Sequence, residues 1–278
     1  MSTMYESIKM DIIGHAAVIT LNRPDAMNAF TYPMIDEFGQ AITEAERDEN
    51  VTGIIITGEG RGFCAGVDIS TLDSLYKEGR GVGAEELLTG PGNDEMGDNF
   101  GSGFTYLMSI RKPVIAAVNG ACVGFGMSVA LLCDLRFASE KAKFMTSFST
   151  RGLVAEHGQS WILPRILNPS KALDLLWSSR KVDATEAKAM GMVDRVLPHD
   201  TLLSESLAYI EKLAETAAPV SLKIMKQQVY RHLNMTLGEA MEETNRLVDE
   251  SMKRDDFKEG ITSYLEKRAP RFQKVTIK

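Results

Sequence analysis

KPVIAAVNGACVGFGMSVALLCD, Lys112–Asp134, is the stretch around which the chain is organised. Pro113 introduces a short β-type apolar run, Val114–Val118, and Asn119–Gly120 makes a compact turn. After Gly124 and Gly126 comes a segment that reads as a buried helix ending near Cys133–Asp134. A strand feeding a glycine-rich turn at a helix start leaves several backbone N–H groups without intrahelical partners. Those donors, with the positive end of the helix dipole, suit a developing negative charge. The turn is expected to hold an oxyanion, with chemistry beside it.

Upstream, Ala16–Leu21 reads as a buried strand and Arg23–Phe30 as a polar, proline-containing loop. Thr31 can cap a helix whose first turn tolerates Pro33. Met34, Ile35, Phe38, Ile42 and Ala45 then fall at helical spacing. Val51 and Gly53–Thr57 give a second strand, and the order strand, helix, strand points to a right-handed crossover and a parallel sheet. Next comes GEGRGFCAGVD, Gly58–Asp68, in which Gly58, Gly60, Gly62 and Gly66 permit close backbone approach or positive φ. Taken alone, this segment reads first as a plain loop between elements. Lys77–Gly103 is glycine-rich, acidic and aperiodic. It is expected to be a long surface loop or flap with a short helix at Ala84–Leu88, and a helix is expected to resume over Gly103–Ile110.

Downstream, Leu135–Ala138 and Lys143–Met145 are candidate strands. Helices are expected at Gly158–Leu163, Lys171–Leu176 and Thr185–Met190, with a strand at Met192–Val196. Beyond Asp200 the pattern is helical only: Leu202–Thr216, Val220–Leu233, Leu237–Met252 and Asp256–Lys267. The expected organisation is a core over residues 1–200 and a helical packing or oligomerising region over 201–278.

Composition narrows the function. With 44% hydrophobic and 25% charged residues the 278-residue chain is globular in character. A net charge of −7 argues against nucleic acid, whose phosphates need a basic face. No apolar run reaches membrane-spanning length, and MSTMYESIKMDI lacks the features of a signal peptide. Cys64, Cys122 and Cys133 are odd in number and unpaired in spacing, which suggests reduced thiols and an intracellular protein. His15, His157, His199 and His232 form no metal-ligand pattern.

Several chemistries fail on their motifs. Gly124-Phe125-Gly126 lacks the third glycine of a dinucleotide fingerprint, because Val129 stands there. There is no GK[ST] and no G-x-S-x-G; Ser128 lies within a helix. Glu156 and His157 are the titratable pair of a second glycine-containing turn. A carboxylate near Leu153, Val154 and Trp161 could be desolvated into a better proton acceptor, or it could be a surface helix cap. His157 reads as a packed or surface histidine, and Asp134 as a cap or ion-pair partner.

Four motifs together carry a family resemblance: RPDAMNAF at Arg23–Phe30, GRGFCAGVD at Gly60–Asp68, the opening stretch, and ATEAKAMGMVDRV at Ala184–Val196. In that order and spacing they resemble the crotonase (enoyl-CoA hydratase/isomerase) superfamily, over roughly Met10 to Phe272. The resemblance implies an α/β, crotonase (ClpP-like) fold of repeated ββα units, with C-terminal helices that assemble a homotrimer or a dimer of trimers. It implies an acyl-CoA thioester substrate whose oxygen sits between the N–H groups of Val67 and Phe125. No metal and no cofactor beyond the coenzyme A of the substrate are expected. Ala26, Asn28, Ala65, Gly66, Asp68 and Gly124 would line the path of the coenzyme, and Tyr264 and Lys267 would reach that of a neighbouring subunit.

The resemblance also bears on the reaction. Hydratases of the family use two glutamates, which would fall at Ser128 and Phe148. Glu156 falls where single-base members carry their acid, as in monofunctional Δ3-Δ2-enoyl-CoA isomerases. The expected function is therefore a proton shuttle from C2 to C4 by Glu156. A hydratase, or another crotonase reaction using one glutamate, is the alternative within the family; a non-catalytic acyl-CoA-binding protein is the alternative outside it. The expected location is cytoplasmic, with an organellar one such as the peroxisome left open.

Overall fold

The computed structural model describes residues 5–69, 71, 77, 91–101 and 103–276. The apolar runs of the sequence become the centre of a six-stranded sheet. Its strands are β1 (Ile8–Ile13), β2 (Ala16–Leu21), β3 (Gly53–Gly58), β5 (Val114–Val118), β7 (Leu135–Ser139) and β10 (Arg195–Leu197), side by side in that order. β1 runs antiparallel to β2 and the other neighbours are parallel. β5 is buried along its whole length and β3 over its first four residues, as expected of parallel strands covered on both faces.

A second, four-stranded sheet was not expected. It consists of β4 (Gly62–Cys64), β6 (Ala121–Val123), β8 (Lys143–Met145) and the two-residue β9 (Val182–Asp183). Each of β3, β5 and β7 passes directly into a strand of this small sheet, which is the repeated ββ step of the fold. The step requires close backbone approach. A Cβ on Gly120 would lie 2.1 Å from the Arg61 carbonyl oxygen. Asn119 secures the same corner, accepting from Gly58 N–H and donating to the carbonyls of Gly60 and Gly62.

One face of the large sheet is covered by α1 (Tyr32–Arg47) and α2 (Phe125–Leu132). Thr31 accepts from Met34 N–H to start α1, and Met34, Phe38, Ala41, Ile42 and Ala45 form its buried face. The other face is covered by α6 (Leu202–Thr216), whose Leu202 and Ile210 pack on Ala16, Val18, Ile55, Ile115, Ala117 and Phe137. The first helix of the 201–278 segment is thus a layer of the core. Between these elements lie α3 (Gln159–Ile166), α4 (Pro169–Ser178) and α5 (Ala184–Met190). The chain ends with α7 (Pro219–His232), α8 (Leu237–Ser251) and α9 (Asp255–Glu266).

Two expectations change. The helix expected over Gly103–Ile110 is a 3₁₀ turn, Thr105–Met108, that buries Tyr106, Leu107 and Met108. Within Lys77–Gly103, two further 3₁₀ turns at Asp94–Met96 and Asp98–Phe100 bury Met96 and Phe100. That part packs into the core rather than forming a surface flap. The helix expected at Ala84–Leu88 lies outside the described residues.

Asp134 fastens α7 to the central strand. Its carboxylate accepts from Val114 N–H at 2.7 Å and Tyr230 Oη at 2.9 Å, and lies 2.8 Å from Lys226 Nζ. Lys226 also donates to the carbonyls of Leu107 and Lys112, so its buried ammonium is fully partnered. Removing the carboxylate strands this charge. Asp134→Ala should lower unfolding free energy by roughly 3 kcal/mol, the usual cost of breaking a buried pair. Tyr230→Phe, which removes one hydrogen bond, should cost about 1 kcal/mol. Urea denaturation of the two variants against wild type measures both.

Candidate active site

Val67 and Phe125 meet across the ends of two strands. Phe30 and Val67 form an isolated parallel bridge: Phe30 N–H donates to Gly66 O, and Asp68 N–H donates to Phe30 O. In such a bridge the flanking residues make both bonds, so the Val67 N–H points to the opposite side. Gly66 reaches this arrangement at φ +111°. A Cβ there would lie 3.4 Å from Val123 O and 3.8 Å from Phe125 N. The two segments therefore run in contact.

Phe125 is the first residue of α2, so its N–H has no intrahelical partner. Gly124 before it sits at φ 53°, ψ −116°, a conformation that only glycine adopts without strain. Gly126 allows the helix to land against β4, since a Cβ there would lie 2.5 Å from Cys64 Cβ. Among the described residues, neither the Val67 nor the Phe125 N–H donates to a protein acceptor. The Phe125 ring holds its own backbone in place. It packs edge-on against Phe30, Phe104 and His157, at centroid distances of 5.2, 4.9 and 4.5 Å.

The third segment is the turn before α3. His157 and Gly158 lie at φ 51° and 77°, and this left-handed pair turns the chain into the helix. Glu156 stands half-buried on the turn, and its carboxyl is held above the ordinary range by desolvation. His157 Nε2 is 3.6 Å from Glu156 Oε2. Burial pushes the imidazole down to about 4, so at neutral pH it is uncharged and the two do not form an ion pair. A neutral neighbour leaves the basicity of Glu156 intact.

These three segments border one cleft of about 640 Å³. Of the residues expected at the site, Ala26, Ala65, Gly66, Val67, Asp68, Gly124, Phe125 and Glu156 line it. Asn28 does not. It is completely buried, accepting from Arg23 N–H and donating to the carbonyls of Glu59 and Gly62. Its amide shapes the loop and is not available to a ligand. Tyr264 and Lys267 belong to α9 and its C-cap, away from the cleft of their own chain, and Tyr264 is 82% exposed. Arg23 ties the loop to the oxyanion segment through Asp68, at 2.9 Å.

Some lining residues escaped the sequence, Ser147 and Arg151 among them. Phe148 also lines the cleft, as an apolar wall. Ser128 does not, because its hydroxyl is buried and accepts from Gln159 Nε2 at 2.9 Å. Among the described residues no group of three His, Cys, Asp or Glu could hold a metal ion, and no helix is long and apolar enough to cross a membrane. The arrangement suits one chemistry well: two N–H groups without a protein acceptor among the described residues could hold a developing oxyanion, beside a carboxylate, Glu156, that is not tied up in an ion pair as Asp68 is.

Known proteins agree with this architecture. The family model described as enoyl-CoA hydratase/isomerase matches residues 12–275. A protein of Rhizobium meliloti named probable enoyl-CoA hydratase is 34% identical over 97% of this chain and 98% of its own. The 1,2-epoxyphenylacetyl-CoA isomerase of Escherichia coli is 31% identical over 97% of this chain and 99% of its own. Among solved structures, an enoyl-CoA hydratase from Polaromonas sp. JS666 superposes with a TM-score of 0.85 at 30% identity, covering 96% of this chain and 99% of that one. Fold and relatives concur, and the chain belongs to the enoyl-CoA hydratase/isomerase family of acyl-CoA enzymes.

Proposed function

We propose that the chain is a Δ3-Δ2-enoyl-CoA isomerase, with Glu156 as the one acid–base group. The carrying observation is that Glu156 lines the same cleft as Val67 and Phe125, where the other lining carboxylate, Asp68, is paired with Arg23, while the expected positions of a hydratase pair hold Phe148 and a buried, engaged Ser128. In this mechanism Glu156 removes a C2 proton from a 3-enoyl thioester. The Val67 and Phe125 N–H groups hold the enolate oxygen, each contributing on the order of 3 kcal/mol. Glu156 then returns the proton at C4. No cofactor is required beyond the coenzyme A of the substrate. Ala26, Ala65, Gly66 and Asp68 border its path.

Glu156→Gln should lower isomerisation of 3-enoyl-CoA by at least ~10²-fold, read as the formation of conjugated 2-enoyl-CoA. Because the base acts ionised and its pKa is raised, activity should fall with decreasing pH sooner than an ordinary carboxylate would dictate. This acid limb should vanish from the residual activity of the variant. The sign for stability is opposite. A raised folded-state pKa means that the protonated form is the better buried one, so the stabilisation is lost as pH rises through it. Glu156→Gln should therefore be at least as stable as wild type at pH 7. Robust hydration of 2-enoyl-CoA that survives Glu156→Gln, with no isomerisation, would sink the proposal.

A hydratase reading also has an observation behind it. His157 Nε2 and Gln159 Oε1 are buried polar atoms without a hydrogen-bond partner among the described residues, and both could hold a water. The same substrate panel decides between them. Binding of enoyl thioesters without any turnover would instead mark a non-catalytic acyl-CoA binder.

The proposal extends to assembly and location. α7 and α8 bury none of their residues, and Met225, Val229, Leu237, Met241, Val248 and Leu265 stay exposed over α7–α9. An apolar face of this extent suits a homotrimer or a dimer of trimers. In that assembly Tyr264 and Lys267 would approach a neighbour's coenzyme. Light scattering should give three or six times the 30.6 kDa chain mass; a monomeric mass would refute it. A cytoplasmic location rests on Cys64, Cys122 and Cys133, all buried and unpaired.

A further inference from the structure

The peptide joining Gly124 to Phe125 has two ends. Its N–H is the oxyanion donor from α2; its carbonyl faces the other way, into the protein. That carbonyl accepts from Ser128 N–H at 3.1 Å and from Gln159 Nε2 at 3.0 Å. The Gln159 side chain is completely buried, and its second Nε2 hydrogen goes to Ser128 Oγ at 2.9 Å. We infer that Gln159 is a positioning residue of the oxyanion hole. Its amide clamps the Gly124–Phe125 peptide and polarises the N–H presented to the thioester oxygen. The inference rests on the reading that this N–H meets that oxygen.

Three physical points support it. The first is orientation. Turning the amide over would set Oε1 against the Gly124 carbonyl, acceptor against acceptor, so the partners fix which end is Nε2. The second is the unfavourable part of the arrangement. Gln159 Oε1 is buried without a partner among the described residues, which costs free energy that an apolar side chain of the same shape would not. The amide is retained at that cost, and the two Nε2 bonds are what it provides. The third is electronic. A carbonyl that accepts a hydrogen bond in a low-dielectric interior shifts charge along its amide and makes the N–H of the same peptide a stronger donor.

Gln159 also reaches the base. It opens α3, and its backbone N–H donates to Glu156 O at 3.0 Å. One residue therefore joins the turn that carries the carboxylate to the peptide that stabilises the enolate. The gap between base and oxyanion site is set through it, although it touches no substrate.

The test uses a saturated acyl-CoA, butyryl-CoA, which can be neither isomerised nor hydrated. Its thioester carbonyl stretch, read by isotope-edited infrared difference spectroscopy, reports hydrogen-bond polarisation directly. Wild type should shift the stretch to lower frequency on binding. Gln159→Met, similar in length but without the donor, should shrink that shift. It should also lower kcat for the enzyme's reaction by about tenfold, a fraction of what losing a whole oxyanion donor costs, with KM little changed. Ser128→Ala removes the Ser128 Oγ contacts, its long 3.4 Å bond to the Gly124 carbonyl included, but leaves the shorter Gln159 bond to that carbonyl, and should keep most of the wild-type shift. A Gln159→Met protein with the wild-type stretch and kcat, altered only in melting temperature, would show a packing role and overturn the inference. If that variant does not fold, Gln159→Asn serves: its amide is one methylene too short, and a wild-type shift there overturns the inference equally. Absence of any shift in wild type would instead refute the role of the Phe125 N–H itself, and this inference with it.

Discussion

Two peptide N–H groups from segments far apart in sequence must aim at one point, and the site depends on that convergence. Both are aimed by backbone geometry. Val67 is aimed by a single parallel bridge to Phe30, which uses the neighbouring Gly66 and Asp68 groups and leaves Val67 facing the cleft. Phe125 is aimed by being the first residue of a helix, on a Gly124 backbone closed to other residues. The glycines follow from this geometry. Gly126 is required because the helix start lands on Cys64, and Gly120 because the strand before it crosses the Arg61 backbone. Sheet, corner and helix deliver donors to a position; the aromatic contacts of Phe30, Phe104 and Phe125 keep them there.

The base side follows a different logic, that of charge. Glu156 is made basic by partial removal from water, with no cation beside it. His157 could have been that cation, but its burial against the Phe125 ring keeps it neutral. A protonated histidine there would hold the carboxylate in its ionised form and weaken it as a proton acceptor. The same ring thus fixes the Phe125 backbone on one side and lines the pocket of a silent imidazole on the other.

Much of this was legible in the sequence, and the remainder was hidden for physical reasons. The core strands stood out because parallel strands covered on both faces become continuous apolar runs. The helices stood out through their stripes and, for α1, its Thr31 cap. Glycine-rich turns beside a strand end pointed to segments that border the cleft. Of the small sheet only β8, Lys143–Met145, was anticipated, because strands of two or three residues leave little alternation to read. β1 did not show either: five of its six residues lie outside the fully buried class, and it is recruited by pairing with β2. Asn28 was expected to line the coenzyme path on the family resemblance of its loop, and the structure turns its side chain inward instead. Its three partners are at residues 23, 59 and 62, and such long-range satisfaction has no sequence signature. The contact of Gln159 with Gly124 is hidden for the same reason.

The Asp134 anchor has a bearing on how the chain is made. Val114 and Asp134 emerge from the ribosome long before Lys226 and Tyr230, and until α7 is translated the carboxylate lacks both of those partners. The carbonyls of Leu107 and Lys112 wait for the same ammonium. The centre of the sheet can be assembled during synthesis, but its polar inventory closes only when the late helix docks. A chain released short of residue 226 would leave the Asp134 carboxylate at its central strand without the ammonium that pairs it.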